Sequence, residues 1–237
     1  MRNLLVVFLL FSAVVYADSY QRMDFDKLMK YQKNDSCAAD KCETISINTE
    51  YLDEIIQQLW LRAGEYPLKF DSEVDKKAAY VDLLKLLKLL EFALENNPNS
   101  SQNHLTYARL GVMAYNFDNP KGAKIANSSY QKFLSMDNVA RVRGEYGAFL
   151  ASSMQAQQAH QQLEQAVADG YRPALYSLAL LDLKDKPEQA QKKLEEYVQE
   201  FPNDKNASDF LQALKSGATL LDCSADLNAN VDCKKKK

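Results

Sequence analysis

The chain has 237 residues, with 29 Lys and Arg against 32 Asp and Glu and only 7 Gly and 6 Pro. That length suits one modest domain, and the slightly acidic balance shows none of the basic face or stripe that nucleic-acid binding displays, so no nucleic-acid partner is expected. Gly and Pro are scarce and fall mostly where elements should end, which predicts long helices, short joints and few strands.

Residues 1–17 read as an export signal. Arg2 is a positive n-region, Leu4 to Val15 form an apolar run of about 12 residues, and Val15-Tyr16-Ala17 offers a small-residue cleavage site. The mature chain is expected to begin at Asp18, in the periplasm or outside the cell. The apolar run falls short of the ~18–20 residues of a membrane span, so the mature chain should hold no integral membrane segment. No cysteine follows the cleavage site, which argues against a lipid anchor. Removing the signal leaves 28 basic residues against 32 acidic, and four of the 28 are the terminal Lys234 to Lys237. The body before that tail therefore has 24 against 32, a charge of −8.

Residues 18–70 read as an N-terminal helical region carrying Cys37 and Cys42. A short amphipathic segment is expected around Asp24 to Gln32. The alternating Thr44-Ile45-Ser46-Ile47 is too short to seed a sheet by itself. A strong helix is predicted over Thr49 to Ala63, because Leu52, Ile55, Ile56, Leu59, Trp60 and Ala63 recur at a spacing of three and four. Asn48 should cap it, with Ile47 stapling onto Leu52.

The next helix is predicted from Ser72, with Asp75 as capping-box partner, to about Asn96 before Pro98. Its leucines, Leu83, Leu84, Leu86, Leu87, Leu89 and Leu90, cover more than one stripe, which predicts a helix sandwiched in the middle of the core. From Ser101 onward helices come in pairs. Tyr107-x-x-Leu110-Gly111 is followed twelve residues on by Ala123, then Tyr130. Tyr146-Gly147 with Leu150 is followed, again twelve on, by Ala159, then Leu163 and Ala166. Leu178-Ala179 is followed eleven on by Ala190, then Leu194, Tyr197 and Pro202. Small residues at such places let partner backbones approach, which would offset the ~1 kcal/mol by which Gly111, Gly144 and Gly147 each weaken a helix relative to Ala. Gly170 and Pro173 suit a helix end followed at once by a helix start. A final helix around Ala207 to Lys215, with Phe210, Leu211 and Leu214 on one face, should cap the array and end at Gly217.

This pattern, over roughly Ser72 to Leu214, resembles the tetratricopeptide repeat, and the run Ala166-x-x-x-Gly170-x-x-x-Ala174-x-x-x-Leu178-Ala179 resembles the joint between Sel-one-like repeats. Asn127 stands where an apolar residue is usual and Arg143 where an aromatic is usual. The resemblance implies an all-α fold: an α-solenoid of nine or ten helices, with repeats and cap over 71–217 and a polar tail over 218–237. It also implies a groove lined by the first helix of each pair. The ligand-facing offsets from Gly111, Gly147 and Ala179 then reach Tyr115 and Asn116, Arg141 and Ser152, and Tyr176 and Lys184. Aromatic, amide and cationic groups together suit a peptide or an acidic chain segment, so a protein or peptide partner is expected.

Cys37, Cys42, Cys223 and Cys233 in an exported chain predict disulfides. Three connectivities are open. A stacked array separates its two ends, which favours disulfide-closed ends, Cys37 with Cys42 and Cys223 with Cys233. The nine residues between the last two fit a four-thiolate zinc site poorly.

Catalytic material is thin. His160 with Glu164 reads as a surface i,i+4 pair rather than an acid–base dyad, and His104 has no nucleophile near it in sequence. Ser129-x-x-Lys132, Lys215-Ser216-Gly217 and Ser101-Gln102-Asn103 echo the motifs of penicillin-recognising enzymes, but in the wrong order and without a sheet. Asp226-x-Asn228-x-Asn230-x-Asp232 imitates the opening of a calcium loop, yet Val231 replaces the turn glycine and the closing Glu is missing. No cofactor and no enzymatic activity are expected. The functional expectation is an exported scaffold for a protein or peptide partner, with an enzyme acting on envelope polymers as the alternative.

Overall fold

The computed structural model describes residues 19–33 and 43–216, together with the backbone of 223–224 and 232–233. Residues 1–17, expected as a signal, Cys37, Cys42, the expected helix end at Gly217, residues 226–231 of the calcium-like run and the lysine tail lie outside the described residues.

The chain enters through Tyr20 and Met23, both buried. Asp24 caps a single helical turn, α1 (Phe25–Leu28), accepting from the amides of Asp26 and Lys27. The amphipathic segment expected up to Gln32 then stops being helical. Met29 is extended, and β1 (Met29–Lys33) pairs antiparallel with β2 (Glu43–Ile47), Met29 opposite Ile47 and Lys33 opposite Glu43. The alternating run, too short to seed a sheet by itself, is thus a strand. Its partner arrives from upstream, and the Asn48 amide donating to Leu28 O at 2.8 Å closes the ribbon onto the fully buried Leu28.

Asn48 caps α2 (Thr49–Ala63) by accepting from the Tyr51 amide, and Ser72 caps α3 (Glu73–Asn96) by accepting from the Asp75 amide at 3.0 Å. Both helices occupy the residues the periodicity predicts. α3 is not sandwiched, however. Ala79, Leu83, Leu86, Leu87 and Leu90 are buried, while Val74, Val81 and Phe92 stand 77, 43 and 64 % exposed along the other side. It lies toward the N-terminal end of the stack rather than in its middle.

The repeat region is α4 (Ser101–Asn116), α5 (Gly122–Met136), α6 (Ala140–Ser152), α7 (Ala156–Ala168), α8 (Ala174–Asp182) and α9 (Pro187–Glu200), closed by α10 (Lys205–Lys215). α4 packs on α5, α6 on α7 and α8 on α9, and successive pairs meet through α5 with α6, α7 with α8 and α6 with α8. That alternation is the stacking rule of a helical solenoid. The core follows it as clusters joined end to end. The first joins the N-terminal strap (Tyr20, Met23 and Leu28), α2 and α3 to α4; the second joins α4 and α5 to α6 and Ala159 of α7. The third ties α7 to α8, and the last ties α8 to α9 and α10.

The first two pairs also share one turn. In α4 the amide of Asn119 donates to Ala114 O after Asp118 at φ 59°; in α6 the amide of Gln155 donates to Leu150 O after Met154 at φ 62°. α7 ends likewise, with Tyr171 donating to Ala166 O after Gly170 at φ 95°. This bond from the third residue past the helix satisfies carbonyls the helix leaves free. Gly170 and Pro173 therefore stand where the sequence puts them.

The glycines report the packing. A Cβ on Gly111 would meet the Ala126 backbone of α5 at 2.5 Å, one on Gly147 the Leu163 side chain of α7 at 2.6 Å, and one on Gly144 the Tyr171 ring at 2.5 Å. One repeat register changes. Ala126 and Gly122 are buried, and Gly122 abuts the Tyr115 and Ala114 backbone, whereas Ala123 is only half-buried. The counterpart of Gly111 is thus Gly122, eleven residues on, as in the third pair. Asn127 then occupies no apolar repeat position. It is half-buried and accepts from the Tyr146 hydroxyl at 3.2 Å.

At the C-terminal end, the two-residue strands β3 (Cys223–Ser224) and β4 (Asp232–Cys233) pair antiparallel with Cys223 opposite Cys233. No helix among the described residues is long and apolar enough to cross a membrane.

Candidate functional site

The first helices α4, α6 and α8 carry the positions that the repeat resemblance assigns to a groove, and they differ in how far their neighbours close over them. On α4 the positions are filled. Leu105, Ala108 and Val112 join the second cluster with Val142, Phe149 and Leu150, and the Tyr115 ring meets Phe149 edge-on at 5.7 Å. Asn116 is a correction to the sequence reading: it is buried, and its amide donates to Ala63 O at the end of α2 at 2.9 Å. An amide held in that way is not available to a ligand without leaving a buried carbonyl unpaired.

On α6 Gly144 is buried and Ala151 half-buried, but the other equivalent positions are open. Arg141, Ala148 and Ser152 are exposed on the side between the α4-facing and α8-facing residues. The Ser152 hydroxyl donates back to Phe149 O at 2.8 Å. Beside them, Glu145 accepts from Arg109 of α4 through two bonds, 3.0 and 2.9 Å, and faces Arg141 at 3.5 Å. Two guanidiniums share one carboxylate, which leaves a cationic surplus at the 60 % exposed Arg141. On α8, Ser177 and Leu180 are half-buried and Lys184, just past the helix, is exposed. Tyr176 is half-buried and packs against Tyr197 of α9 at 5.3 Å. Burial and then the nearby Asp204 charge raise its pKa. The candidate site is therefore a cationic and mildly apolar strip along α6 and α8, with Arg141, Ser152 and Lys184 retained from the sequence reading and Tyr115 and Tyr176 packed at its edges.

Arg109 and Glu145 were not found from the sequence, although a signal exists. Each stands two residues before its repeat glycine, Gly111 and Gly147. Opposite charges at equivalent positions of successive first helices are neighbours once the helices stack.

The other titratable groups act as braces. Nδ1 of His160 faces Glu164 at 3.3 Å, as the i,i+4 spacing predicts, and Nε2 faces Asp182 of α8 at 3.1 Å, so neither ring nitrogen is left for a substrate. Asp182 is buried and also accepts from Lys193 of α9. Burial alone would raise its pKa; the Lys193 hydrogen bond and charge, followed by His160, more than offset that and hold it below the usual range. Arg143 donates to Gln162 at 2.9 Å and Asn138 at 2.6 Å, tying α6 to α7 in place of the aromatic contact usual there. His104 pairs with Pro98 O at 2.9 Å, and Ser129 is buried in α5 while Lys132 is exposed.

The paired helices, shared turn and glycine contacts define a tetratricopeptide-like helical-repeat fold. No family model and no curated protein matches the chain. Among solved structures, the crystal structure of MamA is similar over 62 % of this chain and 85 % of that one, at a TM-score of 0.50 and 22 % identity. TTC0263, a thermophilic TPR protein in Thermus thermophilus, aligns over 71 % of this chain and 92 % of its own, at 0.47 and 15 %. PilF of Pseudomonas aeruginosa aligns over 71 % of each chain, at 0.46 and 27 %. The MamA likeness is one of fold.

Proposed function

We propose that the protein is an exported helical-repeat scaffold that holds a protein or peptide partner along α6 and α8. The observation that carries this reading is the contrast between the first helices: the groove positions implied by the repeat are buried or packed on α4, while Arg141, Ala148 and Ser152 of α6 are exposed. The open strip offers Arg141, Ser152 and Lys184 as donors and cations beside the half-buried Leu180. An extended segment with a carboxylate and an apolar side chain fits those groups, because charge-assisted bonds orient it and apolar contact adds area. Export rests on residues 1–17 and on the even set of cysteines, and the Cys223–Cys233 backbone register supports a local bridge at the C-terminal end.

The test is affinity capture from the exporting cell with the wild-type chain and with R141A/K184A. The partner recovered by the wild type should be lost or reduced roughly tenfold with the variant, as when a pair of interfacial charges is removed. Both side chains are exposed, so the helical signal and melting temperature should not change. Equal recovery by a folded variant would move the site off α6 and α8.

A further inference from the structure

We propose that the outward face of α3 is a second docking surface, and that its occupant is an amphipathic helix of a partner protein bearing acidic residues beside an apolar seam. Among the described residues, large exposed apolar side chains elsewhere occur singly, on separate elements or turns: Phe25, Leu61, Tyr66, Val139 and Met154. On α3 there are three, Val74, Val81 and Phe92. Their spacings of 7 and 11 residues both bring a helix back to the same side, so the three lie within about 20° of one line and span about 27 Å. None is turned to the core, which α3 reaches through Ala79, Leu83, Leu86, Leu87 and Leu90.

The charges along this line are mostly of one sign. Lys85 and Lys88 are exposed within about 35° of it and Lys77 within about 55°. Lys85 is 3.7 Å from the buried Asp82, while Lys77 and Lys88 make no ion pair among the described residues. Glu95 is the acidic residue within the same strip, at its C-terminal end, with Glu73 and Glu91 on one flank. An apolar seam flanked by lysines on a chain whose body is net acidic selects a partner seam flanked by carboxylates.

A second copy of the chain does not meet that requirement. An antiparallel two-fold pairing of α3 would set Lys77 against Lys88 of the other copy, and like charges there oppose association. A lipid surface fits less well than a helix. Interfacial helices present a broad apolar face rich in Trp, Phe and Leu, whereas this seam is two valines and one phenylalanine with Lys85 and Lys88 set between Val81 and Phe92.

The surface is tested on the full chain with a labelled helical peptide of three heptads, Leu along the seam and Glu at the flanking positions, read by fluorescence anisotropy. The expected result is saturable binding that weakens as salt rises and falls at least roughly tenfold in K77E/K88E and in F92S. A matching peptide with Lys in place of Glu should prefer the K77E/K88E chain. R141A/K184A should bind the acidic peptide as the wild type does, which separates this surface from the α6 and α8 strip. No saturable binding at millimolar peptide, or binding indifferent to K77E/K88E, overturns the proposal. So does co-sedimentation of the wild type with phosphatidylglycerol vesicles that the same substitutions abolish, since lipid would then be the occupant.

Discussion

Replacing Gly111 by Ala asks whether close approach of α4 and α5 outweighs helix propensity. In an isolated helix the change is favourable by about 1 kcal/mol. In the folded chain the added Cβ would stand 2.5 Å from the Ala126 amide nitrogen, 3.0 Å from Ala126 Cα and 2.8 Å from Ile125 Cγ2. Ordinary contact begins at 3.4 Å, and two of these three atoms are backbone. A side chain can turn away, but here the helices must separate by close to an ångström. Overpacking of this kind costs about 1–3 kcal/mol, and a backbone obstacle places it at the upper end. The net expectation is a loss of about 2 kcal/mol, a fall in melting temperature of roughly 4–8 °C for a chain of this size. Gly144→Ala is the control, because the three atoms nearest its Cβ all belong to the Tyr171 ring, a side chain whose edge can shift, and none is backbone. Thermal melts followed by far-UV circular dichroism should show Gly111→Ala well below wild type and Gly144→Ala near it. A Gly111→Ala protein melting at or above wild type would refute the packing account.

Asp182 has a depressed folded pKa, so its pairing with Lys193 and His160 stabilises the fold above its unfolded value and is lost as pH falls through the lower folded one. The stability deficit of Lys193→Met measured by urea denaturation at pH 7 should therefore shrink below about pH 4, and a pH-independent deficit would count against the pairing. Asp82 accepts from the Tyr20 hydroxyl at 3.2 Å and the Met23 amide at 2.9 Å. Asp82→Ala should cost about 2–4 kcal/mol and speed trypsin cleavage at Arg22, and an unchanged cleavage rate would show that the carboxylate does not hold this strap. If the protein is exported as proposed, mass spectrometry of the chain purified without reduction should find no free thiols, and a peptide linking Cys37 or Cys42 to Cys223 or Cys233 would replace the local pairing.

Local pattern alone located α2 and α3, because three-and-four periodicity and a capping Asn or Ser depend only on neighbours in the chain. The repeat was legible for the same reason: small residues, aromatics and turn glycines recur at fixed distances whatever the helices touch. What local pattern cannot contain is the identity of the surface opposite. β2 needed β1, whose pairing lies across a connection. The register of the first pair turned on Gly122 rather than Ala123, a choice made where α5 meets the α4 backbone. Asn116 has the offset of a groove residue and lost that place because Ala63 at the end of α2 offers its carbonyl there. Arg109 and Glu145, one repeat apart, became a site only when α4 and α6 stacked. Periodicity thus determined which faces are apolar, while stacking decided which of those faces a neighbour covers, because burial is a property of two surfaces and the chain encodes each separately.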